Sequence, residues 1–546
     1  MAVELEKAFL AELESLEKFR ISYTGLYPNA PLTREDPDVR RLMEAMAMFT
    51  ARTRLAAERS LGESMLRLFR QYFPFLVSSV PSAGMLRARV TPRYVDVVEL
   101  PAGLTVYGVR RQQGAADQVF QFRTQDKLRI LPIVLERVDI FRMRSRGFRI
   151  LFRFAAGFAR NDELGEISLY VNHLNDLASS QSVLHALRRH VKSASVVYDK
   201  DVNEETTGAP CELAYGAAEL EPQDLEAYEL PLQRARAFFH FPQRELFVRF
   251  RPARPPRDWK EITVCLEVDE SWPTDLRLTA DTFQLHVVPI VNMRKDTADP
   301  IEYDGTQERH PVVYGDRTAG FVPHSIHAVY KKSKEGLQPI EPAALGTGRE
   351  SYEVFGEGAG ASRRAAIGLN IPGAFEKAER IVVEAFWTQP ALADVRASEL
   401  RLRLGDHFVE GVEWTCFDSL VPEQDTDLSD ARDDLLKLVS LKGQRFLDAD
   451  DLVFVLRALG AGRARSFAKL VSAIADVRVV SKPYARRSAG FKHIYEIELR
   501  DLDVSDLPRM DPFGQQLLRV LGAWCAEEVV ELVLRMPNLE KELRYV

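Results

Sequence analysis

TREDPDVRRLMEAMAMFTARTRLAAERSLGESMLRLFRQYFPFLVSS, residues Thr33 to Ser79, is the longest helical pattern in the chain. Asp36 can accept from the free N–H groups of a first turn, Pro37 suits the first helical position, and Asp38 complements the positive end of the helix dipole. From there apolar side chains recur at Val39, Leu42, Met43, Met46, Phe49, Ala56, Leu61, Met65, Leu68 and Tyr72, mostly at helical steps. No stop signal precedes Pro74 except Gly62. The pattern therefore predicts one rod, whole or bent at Gly62, of ~55 Å at about 1.5 Å per residue. Such a rod needs a long surface to cover its apolar stripe. Two readings stay open: a core helix inside its own domain, or a helix that joins helices of other chains in a shared bundle.

The chain has 546 residues, 46% of them hydrophobic and 28% charged, with a net charge of −7. Its length predicts about three to four domains. The acidic balance disfavours a surface devoted to nucleic acid, although it leaves room for a local basic patch. Cys211, Cys265, Cys416 and Cys525 lie far apart and form no CxxC pair, so neither a zinc module nor a redox pair is expected and a reducing compartment is. The opening MAVELEKAFL is acidic and amphipathic, unlike a secretory signal, and the most apolar late segment carries Arg519, Glu527, Glu528 and Glu531. The expected location is the cytoplasm, with no direct membrane insertion.

Residues 3–23 repeat apolar side chains at helical steps up to Gly25 and predict a helix folded back on the long one. After Pro81 the texture changes to short alternating segments, among them Met85–Val90, Leu104–Val109, Leu128–Phe141 and Phe148–Phe154. A strand at Gly165–Val171, a helix at Ser179–His190 and a strand at Ser195–Tyr198 follow. Residues 200–232 read as a loop or linker. A second β region is expected from Phe238 through the apolar run Phe283–Val291 and on to Leu404, with 331–380 hard to place. Short helices return after Asp430, then a hairpin at 477–499 with a basic tip at Arg486 and Arg487, then a helix starting at Asp511-Pro512 whose stripe runs to Leu532.

Several patterns invite a site. GEGAGA at 356–361 has the glycines of a phosphate-cradling loop, but no good helix follows, and a flexible loop is the plainer reading. His324 and His327 have a spacing that can chelate metal, yet the residues between them read as strand. Asp448, Asp450 and Asp451 precede an apolar helix and fit its cap and first turn better than a cation site. Arg142, Arg144, Arg146, Arg149 and Arg153 make the most basic patch. Alternation puts the first three on one strand face, where they meet either solvent or an acidic protein. No catalytic residue, cofactor or metal site is expected.

DPDVRRLMEAMAMFTAR (36–52), followed by a helix ending RLFRQYFPFLVSSVPS (67–82), resembles the N-terminal region of the TssF family, a baseplate subunit of the bacterial type VI secretion system. Three later stretches resemble the same family in the same order: Ile167–Val197, FHFPQRELFVRF (239–250) and FQLHVVPIVNMRKDTADPIEYDGTQERHPVV (283–313). The resemblance covers residues 1 to about 330 and then weakens. It implies a wedge component related to the baseplate wedges of contractile phage tails, in which two copies join one TssG-like subunit through a shared helical bundle. It also implies TssK-like adaptors and other baseplate and sheath proteins as partners, and docking at an inner-membrane complex.

The expectation is a multidomain α+β protein, with long helices in its N- and C-terminal parts and β-rich, wing-like domains between. The ranges are a helical region 1–80, a β-rich α+β region 81–200, a linker 201–235, a second β-rich region 236–425 and a helical region with a hairpin, 426–546. The partner interface is placed on Val39, Leu42, Met46 and Phe49, and on Arg142, Arg144 and Arg146. The alternative from another class is an enzyme using a cleft between the two β-rich regions.

Overall fold

The structure, a computed structural model, describes residues 2–546 apart from 30, 31, 34, 35, 92, 112–115, 145, 161–163, 218–230, 256, 257, 335, 344–349, 376, 406, 427, 429–431, 443, 464, 465, 484–490 and 526–528. The fold is α+β and multidomain, with helices concentrated towards both ends. Helix α1 spans Ala2–Leu26 and α2 spans Pro37–Tyr72, running through Gly62 without interruption. Asp36 caps α2, its carboxylate accepting from the Asp38 N–H at 2.9 Å. A short α3, Pro74–Val77, turns the chain into the first strand.

Four larger sheets follow. The first orders the strands Leu400–Leu404, Thr105–Arg110, Gln118–Thr124, Val287–Val291, Ala83–Val90 and Val412–Val421. The second orders Phe283–Leu285, Ile167–Val171, Phe247–Pro252, Ala209–Tyr215, Val191–Tyr198, Trp259–Val268, Phe148–Arg160 and Ile133–Arg142. A third, with Arg294–Thr297 at one edge and His310–Val312 at the other, takes up much of 331–380. The first two sheets draw strands from both sides of residues 201–235. The ranges 81–200 and 236–425 thus mark stretches of chain whose strands interleave. The apolar run 283–291 is two strands in two sheets, divided at His286, which takes φ +58° at the crossing.

Helix α4, Leu177–His190, buries Val183, Leu184 and Leu187 in the core of the second sheet. Residues expected as linker include the strand Ala209–Tyr215, while 218–230 lie outside the described residues. The aromatic run at 238–241, expected to open a strand, instead ends helix α5, Pro231–His240. Four aromatic residues in a row do not distinguish the two periods. Here Ala235, Phe238 and Phe239 form a helical face buried against the C-terminal core.

That core gathers α6 (Arg432–Lys442), α7 (Ala449–Ala458), α8 (Ala468–Ser472) and α9 (Leu507–Trp524) against a sheet of Ile474–Pro483, Phe491–Leu499, Val529–Met536 and Lys541–Tyr545. Helix α9 begins before the expected Asp511-Pro512, with Pro508 in its first turn and Pro512 inside. Leu507, Met510, Phe513 and Leu517 supply one buried face, which outweighs the backbone bond lost at Pro512. Val529 and Leu532 leave the helix and sit on a strand parallel to Phe491–Leu499, as suits the valine-rich, nearly continuous apolar run VVELVL. The tip at Arg486 and Arg487 lies outside the described residues.

Candidate partner-binding surface

The two opening helices form a hairpin. Its turn is tied by Arg20 and Thr24, both donating to the Leu32 carbonyl, at 2.9 and 3.4 Å. Half-buried residues of α1, including Leu5, Phe9, Leu13, Leu16 and Tyr23, recur at helical steps along the side that meets α2. On α2 the facing positions are Ala47 and Ala51, both fully buried, and Arg54 reaches across to Glu12 at 3.2 Å. Small side chains let the helices approach closely. Sequence reasoning missed these two alanines because a methyl group contributes little to an apolar pattern.

The last turn of α2 is anchored. Phe69, Phe75 and Leu76 enter the core shared by α5 and the C-terminal helices, and Arg67 pairs with Glu353 at 3.4 Å. Towards the other end the expected stripe stands in solvent: Leu42 is 62% exposed, Met46 51% and Phe49 73%. Val39 is half-buried. At 100° per residue Phe49 lies opposite the buried Ala47 and Ala51, so the stripe is the helix face turned away from α1. Leu10, Phe19, Ile21, Leu26 and Tyr27 of α1 and its turn are exposed as well. Single exposed apolar residues are ordinary on a protein surface, whereas these form a row along one hairpin.

The arginine patch divides. Arg142 ends the strand Ile133–Arg142, whereas Arg144 and Arg146 lie in the turn before Phe148–Arg160, with Arg146 at φ +64°. The expected shared strand face is therefore a hairpin tip, because the strand ends at Arg142 and the chain turns through Arg146 at positive φ before Phe148. All three are exposed, and Arg144 stands 3.7 Å from Glu204. Arg149 is buried, donating to the Asn203 and Thr206 carbonyls and pairing with Glu267 at 2.8 Å. Arg153 pairs with Asp139 at 3.5 Å.

The remaining patterns are absorbed by the fold. The glycines at 356–361 lie at the turn between antiparallel strands, Ser351–Glu357 and Arg364–Asn370, with Gly358 and Gly360 at positive φ, and a strand rather than an α-helix follows, unlike a phosphate-cradling loop. His324 is fully occupied, one ring nitrogen on Ser325 and the other on the Ser79 carbonyl at 3.0 Å. His327 meets the Phe386 ring edge-on. Asp448 caps α7 by accepting from the Asp451 N–H at 2.8 Å. The cleft between the first two sheets has a volume of about 270 Å³ and is lined by Glu99, Asp126, Arg129, Glu166, Arg249 and His286. Glu166 pairs there with Arg249 and Arg251, and Glu99 with Arg129. Burial and the nearby Arg87 push His286 down to about 4.

The family described as "Type VI secretion system, TssF" matches residues 29–354. No curated protein matches the sequence. Among solved structures, a chain of a type VI secretion system TssK-TssF-TssG baseplate subcomplex, determined by cryo-electron microscopy, superposes with a TM-score of 0.75 at 17% identity, covering 93% of this chain and 98% of that one. A chain of the baseplate complex from the type VI secretion system gives 0.57 at 16% identity, with 99% and 98% covered.

Proposed function

This chain belongs to the TssF family of the type VI secretion system, and from that premise we propose that it is a structural wedge subunit of the baseplate, built into its complex through the α1–α2 hairpin. The observation that carries this reading is the exposed row Leu42, Met46 and Phe49 with its neighbours on α1. A TssG-like subunit and a second copy of this chain would cover that row in a shared helical bundle. The similar solved chain comes from an assembly that also contains TssK and TssG, which supports a TssK-like adaptor as a further partner. Arg142, Arg144 and Arg146 would face an acidic protein at a lateral contact. Among the described residues no helix is long and apolar enough to cross a membrane. The proposed setting is a cytoplasmic baseplate beneath the sheath, docked at an inner-membrane complex.

The experiment is Met46→Asp. Met46 is half in water in the isolated chain, so the variant alone should melt within about 0.5 kcal/mol of wild type, as surface changes do. In a shared bundle the same carboxylate would be desolvated without a partner, a penalty of several kcal/mol, and capture of a TssG-like subunit should weaken by at least about a hundred-fold. Arg41→Glu and Arg52→Glu, exposed and off the stripe, control for charge alone. A Met46→Asp chain that assembles with wild-type affinity would remove the hairpin from the interface. Helix α9, the other long apolar helix, offers little substitute, because its stripe is already buried in its own core.

A further inference from the structure

Between α5, α7, the turn after α7 and residues 424–428 lies a cavity of about 320 Å³. It is separate from the α1–α2 hairpin and from the cleft between the sheets. Arg236, on α5, forms part of its lining and is only 7% exposed. Its Nη1 donates to the Phe75 carbonyl, but among the described residues no carboxylate pairs with it. Burial and the neighbouring Arg463 push this guanidinium down to about 10, so it still carries its charge at neutral pH. A buried cation without a counter-ion is costly, and proteins seldom keep one without a use.

Two more guanidiniums, Arg457 and Arg463, line the same cavity and are exposed, which places them towards its mouth. Arg463 donates to the Asp425 carbonyl at 3.0 Å, and Arg457 has no ion-pair partner among the described residues. The acidic groups of the lining, Asp425 and Asp434, are both exposed, and the Asp425 carboxylate is directed to the Gly360 N–H at 3.5 Å. Negative charge thus stays in water at the rim, while the buried charge is positive. His240, one turn after Arg236, binds Gln424 through Nδ1. Val80, Leu428, Phe454, Ala458 and Leu459 give the cavity an apolar wall.

We propose that this cavity binds a small organic phosphate, its phosphoryl group between Arg236 and the mouth arginines and its carbon body along Phe454 and Leu459. Guanidinium forks match phosphate oxygens two at a time, and a dianion answers more than one of them. The volume is roughly twice the ~150 Å³ that holds a benzene molecule, enough for one ring and a phosphoryl group.

The test is calorimetric titration of the purified full chain with phenyl phosphate, inorganic phosphate and benzoate at neutral pH. Phenyl phosphate should bind once per chain and more tightly than inorganic phosphate, which lacks the body for the apolar wall. Arg457→Gln should weaken it about ten-fold, the scale of one charge-assisted hydrogen bond. Arg457→Lys, which keeps the charge but loses the fork, should lie between, and Arg478→Gln, on an exposed strand away from the cavity, should bind as wild type. Absence of binding by both phosphates at millimolar concentration, or equal affinity in Arg457→Gln and wild type, would overturn the proposal. Benzoate binding as tightly as phenyl phosphate would overturn the phosphate assignment. The isolated chain suffices for every arm, so the result stands apart from whether the hairpin assembles as proposed.

Discussion

Burial pushes the imidazoles of His286 and His324 down to about 4, with Arg87 adding to the effect at the first and Arg363 at the second. In the unfolded chain each titrates near 6.5. Between these values the unfolded state takes up a proton that the folded state refuses, so their stabilisation is intact above about 6.5 and is lost as pH falls towards 4. Each contributes at most on the order of 1.4 kcal/mol per pH unit across that window. His286→Asn keeps a residue type that tolerates positive φ but cannot titrate. The fall in melting temperature from pH 7 to pH 5 should be smaller in this variant than in wild type, whatever its stability at pH 7. Equal falls would mean that His286 is not held neutral. At this scale the sequence was readable where the chemistry is local: Asp36 and Asp448 cap helices a few residues away. Ala47, Ala51 and His286 were not, since their roles depend on elements brought together only by folding.

Elements with a long, clean period were legible, and short apolar runs were not. Helix α2 declared itself through its cap and 36 residues of pattern. The aromatics ending α5 and the valines after α9 carry too few residues to fix a period, and packing decided them in opposite directions. The basic hairpin shows a third case, in which the side chains were found and their geometry was not. Arg142, Arg144 and Arg146 surround a turn rather than share a strand face. Exposed charges at such a tip steer an encounter more than they hold a complex. Reversing all three to Glu should therefore slow association with the wedge partners several-fold at low salt, with little change in melting temperature. Association rates that match wild type at low ionic strength would leave the tip to solvent.

On the scale of the whole molecule, the class of the fold was legible and the division of its sheets was not, because strand pairing across hundreds of residues leaves no local mark. Ala83–Val90 lies between Val287–Val291 and Val412–Val421, and Trp259–Val268 lies between Val191–Tyr198 and Phe148–Arg160. Fragments 1–217 and 231–546, produced together as separate chains, should therefore purify as one complex with a single melting transition. Two fragments that each fold and separate on a sizing column would contradict the interleaving. The same pairing also sets a clock. The strand ending at Val90 leaves the ribosome long before its partner ending at Val421 exists, and at about 5–20 residues per second the wait is on the order of tens of seconds. Until Val291 emerges an apolar strand has two unfilled edges in a crowded cell, and until Val421 emerges it still has one. Translation speed and chaperone supply, more than the pairing step itself, should govern how much of this protein reaches its native state.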